Sequence, residues 1–480
     1  MNVKTSQSID WYQTILLPAT ICLTASFAFA PDALGDDAVR DRPDTQAGDQ
    51  VRDSWPRLLG ATFDGVLPNN ERVDWSAKPK LASALAVADG YGIGSIDAEG
   101  NYFHFDSPNG DSERLRCIDL ESGKTKWSQS QPLQYRDLYG YETGPRSSAT
   151  IAGDQVFTMG VGGQLNCRSK ADGKLIWGVD ANSRYGVVTN FFGAGGSPLV
   201  LDDVVIVMVG GSPKEDQRIA PGRLDRVSPD DSAIVAFNRI DGKEAWKCGA
   251  DLASYSSPRT AQIDGETMVL LYARDYLLAI DPKPGSKGTS QGGTVRWKYE
   301  HGAEVLESVN AMVPIVDGNR VFISECYELG SVLLHASKQS AEVIWRDPPG
   351  NRRKQSMRVH WSNPVLIDGN LYGCSGRNAP DSDFRCIEFA TGKVNWTDSR
   401  RTRSSVTAVG DYLLVLEERG LFQVIRANAE KIDVIAEWDF SDSPDWPTIA
   451  YPCWAAPVVV GNRVLIRGDQ KVLCLEFPQR

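Results

Sequence analysis

The stretch Asp172-Gly173-Lys174-Leu175-Ile176-Trp177 decides the fold, because the chain repeats it. It returns as Asp241-Gly242-Lys243-Glu244-Ala245-Trp246, as Thr391-Gly392-Lys393-Val394-Asn395-Trp396 and as Ser122-Gly123-Lys124-Thr125-Lys126-Trp127. Degenerate copies end at Trp75, Trp297, Trp345 and Trp438, so that successive tryptophans stand 52, 50, 69, 51, 48, 51 and 42 residues apart. A recurring unit of about 50 residues is the mark of propellers and other repeat arrays. A second marker keeps step with it. Turn dipeptides flanked by apolar runs follow each tryptophan: Asp89-Gly90, Gly153-Asp154, Asp202-Asp203, Asp264-Gly265, Asp317-Gly318, Asp368-Gly369, Gly410-Asp411 and Gly461-Asn462. These pairs favour the positive φ angles of tight hairpins.

The flanking runs, such as Val204 to Val209 and Arg463 to Arg467, are β-branched and too short for stable helices. Each unit therefore reads as four strands: one before the turn, one after it, a third carrying phrases such as Leu278-Ala-Ile-Asp281, and a fourth ending in the tryptophan. Four-stranded antiparallel units repeated radially make an all-β, eight-bladed propeller. The last unit, from Cys453 to Phe477, has only three strands, and the segment ending in Trp75 is a fourth strand without its own three. Pairing the two closes the ring and removes two open sheet edges. Seven blades are expected from contiguous chain and one from both ends.

Upstream, Lys4 precedes an apolar stretch from Thr14 to Ala30 that ends in small residues, the pattern of a secretory signal peptide. The expected organisation is a signal peptide at 1–30, a disordered linker at 31–54 rich in Asp, Arg, Gln and Gly, and the propeller over 55–480. The product is expected to be periplasmic or secreted, without a transmembrane segment once the signal is removed, and monomeric. Removing residues 1–30 takes one lysine and one aspartate, so the formal charge of −11 is unchanged. This acidity argues against nucleic acid as a partner. Cys117, Cys167, Cys386 and Cys474 occupy one third-strand position in four different units, where Ala236 or Ala279 stands in others. Equivalent positions in separate blades are too far apart to bridge, so these thiols read as small buried hydrophobes.

The phrases resemble the PQQ-like propeller repeat of bacterial quinoprotein dehydrogenases and of the outer-membrane-assembly propeller BamB. The resemblance spans nearly the whole chain after residue 55. It implies that Trp127, Trp177, Trp246 and Trp396 dock between neighbouring blades, with the Gly-Lys pair turning into the last strand. The enzymes' other features are missing. There is no Cys-Cys pair to close a ring over a quinone and no Cys-x-x-Cys-His haem site; nor does a Gly-x-Ser-x-Gly nucleophile elbow occur. The histidines, His104, His301, His335 and His360, have no metal-ligand spacing.

Topology puts every link from a fourth strand to the next first strand, and from second to third strands, on one face. That upper face carries most of the long segments, Pro282 to Thr294 being the exception, with Tyr135, Tyr139, Tyr141, Phe191, Phe192 and Tyr451 among several arginines. Loops on a rigid scaffold are the usual place for binding. Nearer the axis, the first-strand entries bring Arg146, Glu307, Asn310, His360, Trp361, Arg403 and Trp454 to the channel mouth, joined by Glu325. These eight are the candidate ligand-binding residues, and none is assigned a catalytic role. Glu307, Asn310 and Glu325 offer oxygen donors suited to calcium; a hydrogen-bonded, water-filled channel is the plainer reading. Two functions follow. The first is a non-catalytic scaffold of the cell envelope holding an envelope protein or peptide on the upper face, with no cofactor. The second is a calcium- and PQQ-dependent dehydrogenase with an axial carboxylate as base.

Overall fold

Eight sheets form the ring, each built on four antiparallel strands, and in seven of them those four follow sequence order from the axis outwards. The computed structural model describes residues 53–283 and 292–480, all within the compact unit that runs from Pro43 to Arg480. The expected signal peptide and most of the linker lie outside the described residues. Seven sheets are contiguous, for example Thr150–Ala152, Gln155–Met159, Gln164–Ser169 and Leu175–Asp180 in blade 2. The eighth joins Val458–Val460, Arg463–Arg467 and Lys471–Glu476 to an N-terminal strand, Lys80–Ala86, through antiparallel pairing such as Ala84 with Leu473. Ring closure by both chain ends is therefore as expected.

The closing strand is not the expected one. Trp75 precedes it, buried against Phe477 with ring centroids 5.0 Å apart. The register that tryptophan holds in other blades falls to Ser83, opposite Cys474. The apolar run before Asp89-Gly90 is consequently the outer strand of blade 8 and not the first strand of blade 1. Blade 1 instead turns at Asp97 to Gly100, between Ser95–Ile96 and Asn101–Asp106. Nor do the fourth strands end in tryptophan. Trp127 is the third residue of Thr125–Pro132 and Trp177 the third of Leu175–Asp180. In blade 7 the equivalent position is Ala436, opposite Val424, and Trp438 lies two residues beyond.

The repeated phrase has a physical reason. In blades 1 to 6 the fourth strand slips register immediately before the tryptophan, as between Leu175 and Trp177, a β-bulge that redirects the indole off the sheet. The indole then lies against the next blade and its Nε1 donates to a backbone carbonyl there: Trp127 to Lys170 at 3.0 Å, Trp177 to Arg239 at 2.9 Å, Trp345 to Phe389 at 2.9 Å and Trp396 to Asn428 at 2.8 Å. The third-strand cysteines pair directly with these tryptophans, Cys117 with Trp127, Cys167 with Trp177 and Cys386 with Trp396. All eight cysteines of the described residues are buried and unbridged, and burial pushes the thiols of Cys117 and Cys374 up to about 11.

Candidate functional site

Before entering the ring, the chain crosses its axis. Trp55 exchanges backbone hydrogen bonds of 2.8 Å with Ile96 of blade 1, and Ile151 of blade 2 donates to the carbonyl of Pro56 at 2.8 Å. Arg259 of blade 4 donates from Nη1 to the carbonyl of Phe63 at 3.1 Å, and Val66–Leu67 then pairs in parallel with Ala408 and Val409 of blade 7. The segment spans the hairpin-turn end of the inner strands and closes the channel there. Leu59 and Phe63 take positive φ angles of 61° and 60°, a strain these side chains accept only where surrounding contacts hold the segment in place.

What remains open to the upper face is a cavity of about 280 Å³. Trp55, Leu58 and Leu59 line its closed end, and the first-strand entries of the blades form its wall. Its upper part is aromatic. Phe192 touches Tyr141 at 5.7 Å between centroids, Tyr141 touches Trp454 at 6.1 Å, and Trp454 packs against Tyr91 at 4.8 Å and Trp361 at 5.5 Å. His360 follows at 5.0 Å from Trp361.

Five of the eight candidate residues line this cavity: Arg146, His360, Trp361, Arg403 and Trp454. The other three do not. Glu325, the last residue of the strand Arg320–Glu325, is fully buried, its carboxylate accepting from Ser308 Oγ and from the backbone N–H of Tyr327, Glu328 and Leu329 at 2.7–2.9 Å. Asn310 spends its Nδ2 donors on the carbonyls of Ala273 and Arg274, tying blade 4 to blade 5. Glu307 points to solvent. The trio grouped as oxygen donors does not converge, and among the described residues no cluster of three or more His, Cys, Asp and Glu side chains is arranged to hold a metal ion.

The charges on the wall are already compensated from behind. Arg146 meets Asp137 at 3.1 Å and lies over the Tyr91 ring. Arg403 meets Glu418 at 2.7 Å, with its guanidinium carbon 4.7 Å from the Trp361 ring centre and 5.0 Å from that of Trp454. Among the described residues, no Asp or Glu lines the cavity itself. Most polar wall atoms are engaged within the ring: Asn363 accepts from Val313 N and donates to its carbonyl, Ser148 Oγ donates to Ile93, and Ser405 Oγ donates to Trp454. His360 Nε2 lies 3.3 Å from the Tyr327 hydroxyl. Its Nδ1 and the nearby Ser362 Oγ are buried without a partner among the described residues. Burial, then the charges of Arg403 and Arg377, pushes the imidazole down to about 3, so His360 is neutral at physiological pH.

Sequence reasoning missed the closed end because Trp55 to Leu67 lacks the repeat pattern; its clustered Trp55, Leu58, Leu59 and Phe63, directly after a polar stretch, were the available signal. It also missed Tyr91 and Tyr255, which enter the wall from loops of two different blades.

Fold and cavity together define an eight-bladed propeller with a blind axial pocket beneath an aromatic rim. A family model described as outer membrane protein assembly factor BamB matches residues 111–292 and 287–432, and the chain belongs to that PQQ-like propeller family. Among solved structures, it is similar to BamB from Moraxella catarrhalis, with 13% identity and a TM-score of 0.52 over 84% of this chain and 98% of that one. A europium-containing methanol dehydrogenase matches with 10% identity and a TM-score of 0.66 over 90% and 99% of the two chains. Quinohemoprotein alcohol dehydrogenase from Comamonas testosteroni matches with 12% identity and a TM-score of 0.60 over 90% and 81%. At such identities the likeness establishes the fold alone. No curated protein matches the chain. Among the described residues, no helix is long and apolar enough to cross a membrane.

Proposed function

We propose that this chain is an exported, non-catalytic binding propeller of the cell envelope that receives its ligand or partner at the axial cavity on the upper face. The observation that carries this reading is the cavity wall itself. Among the described residues it presents aromatic surface and two compensated guanidinium groups, and no carboxylate. A dehydrogenase needs a base placed at the substrate. The one imidazole on the wall among the described residues, that of His360, is a weak base at about 3.

The residues do not fit the calcium–quinone pair. Glu325 has its oxygens saturated by its own loop, Asn310 faces the neighbouring blade and Glu307 faces solvent. A tricarboxylate such as PQQ would meet arginines already neutralised by Asp137 and Glu418. The family membership supports a scaffold role, with an envelope protein or peptide as the macromolecular partner.

The test is a titration of the purified chain with PQQ in calcium-containing buffer, followed by quinone absorbance and calorimetry. The expected result is no stoichiometric, calcium-dependent binding. Saturable binding at one quinone per chain that disappears on chelation overturns the non-catalytic reading.

A further inference from the structure

The cavity wall specifies what it can hold. Resting on the reading of the axial cavity as the binding site, we propose that its ligand is an uncharged aromatic compound of about two fused rings bearing one hydrogen-bonding oxygen, as in a phenol or aryl ketone.

Size comes from the volume. A cavity of roughly 150 Å³ lined by apolar side chains holds benzene, and this one measures about 280 Å³. Flatness comes from the rings. Trp361, Trp454, Tyr141 and Phe192 stand within 5.5–6.1 Å of one another in succession and leave their remaining surface to the cavity. Offset and edge-to-face packing against such rings favours an aromatic guest.

Neutrality comes from the ion pairs. A cation entering here meets Arg146 and Arg403. An anion has to compete with Asp137 and Glu418 for guanidinium groups that are already paired and largely buried. A buried charge without a partner is costly. Trp361 and Trp454 are in addition occupied on one side by the Arg403 guanidinium, which leaves no open cage for a ligand cation.

The single oxygen comes from the two unmatched wall atoms. His360 and Ser362 stand two residues apart in one loop and both line the cavity, and His360 Nδ1 and Ser362 Oγ are buried without a partner among the described residues. The other polar side chains near them are consumed: Asn363 by Val313, and Trp361 Nε1 by the carbonyl of Trp454 at 3.3 Å. A ligand oxygen placed between them would satisfy both groups, and a ligand with several hydroxyls would bury the rest unmatched.

The probes are 2-naphthol, naphthalene and 2-naphthoate, titrated into the full chain at neutral pH and followed by tryptophan fluorescence and calorimetry. The expected order is 2-naphthol about tenfold tighter than naphthalene, the effect of one buried hydrogen bond, with 2-naphthoate the weakest. In a His360→Leu, Ser362→Ala variant, the advantage of 2-naphthol over naphthalene disappears; Trp361→Ala weakens both. Thermal melting of each variant checks that the ring is intact, and Ser362→Ala alone, with a partial loss of the 2-naphthol advantage, serves if the double variant unfolds. Tightest binding by 2-naphthoate, equal binding of 2-naphthol and naphthalene, or no binding of any probe overturns the ligand class. The non-catalytic reading fails separately, in the calcium–quinone titration.

Discussion

Gly173 of blade 2 lies flat on the indole of Trp127 from blade 1: a Cβ built on Gly173 would stand 2.5 Å from Trp127 Cε3. The same pairing joins Gly242 to Trp177, Gly293 to Trp246 and Gly392 to Trp345, at 2.3–2.8 Å. The glycine in the repeated phrase thus serves two ends. Its φ of 72° makes the turn, and its missing side chain admits the tryptophan of the blade before.

The two roles separate by mutation. Gly265, with φ of 73°, turns a hairpin with nothing within 4 Å of a built Cβ. Gly265→Ala is expected to cost about 1 kcal/mol, for backbone conformation alone. Gly173→Ala adds the displacement of a docked indole and is expected to cost about 3 kcal/mol or more. Equal losses in denaturant unfolding would show that the indole contact contributes nothing.

Removing Trp55, which is 4% exposed and forms part of the closed end of the cavity, tests whether the crossing segment is part of the folded ring. Trp55→Ala is expected to lower stability by about 3–5 kcal/mol and to open the 53–67 segment to limited proteolysis. A variant with unchanged melting and an unchanged digest would mean that the segment is an appendage.

Glu113, 1% exposed, accepts from Val161 N at 2.7 Å and Gln131 Nε2 at 3.0 Å. Burial nevertheless raises its carboxyl from an ordinary 4.5 to about 7. A group raised on folding binds its proton more tightly in the native state, so its contribution is complete below about pH 4.5 and is lost as pH rises through about 7. That difference corresponds to about 3 kcal/mol. Relative to the parent chain, Glu113→Gln is expected to gain about that much stability between pH 4 and pH 8; Glu142 and Asp251, also raised by burial, act equally in both proteins and cancel. A parallel pair of stability curves across that range would refute the assignment.

Arg403 and His360 are coupled electrostatically. Burial is the main force holding the imidazole near 3, and the Arg403 charge is the next. Arg403→Met combined with Glu418→Gln removes the charge and its partner together and avoids an unpaired buried carboxylate. The imidazole is then expected to titrate at a higher pH while staying below 6.5. NMR titration of the His360 ring reads this directly, and an unmoved value would mean that Glu418 already cancels the arginine's field.

The blades were legible in the chain because a blade is a local object. Its hairpins close within a few residues, its tryptophan sits on a fixed spacing, and period-two and turn signals act over the same short range. Eight blades, closure by both ends and the third-strand position of Cys117, Cys167, Cys386 and Cys474 all follow from that arithmetic. Which N-terminal strand completes blade 8 does not, because Lys80–Ala86 pairs with residues nearly 400 positions away and alternates exposed with half-buried residues as any outer strand does. Trp75 carried the repeat's signature residue but packs outside the sheet, against Phe477.

The site was legible only in part, and for the same reason. First-strand entries converge on the axis by topology, which brought Arg146, His360, Trp361, Arg403 and Trp454 together. Whether a side chain at such an entry faces the axis or a neighbouring loop depends on backbone partners that no spacing encodes. Glu325 was drawn inward by four hydrogen-bond donors and Asn310 by two carbonyls of blade 4. By itself the sequence determined a closed ring of eight four-stranded blades with most of its long loops expected on one face. Only the tertiary structure decided that Trp55 to Leu67 crosses the axis and turns the channel into a blind aromatic cavity, because that choice rests on contacts with four separate blades at once.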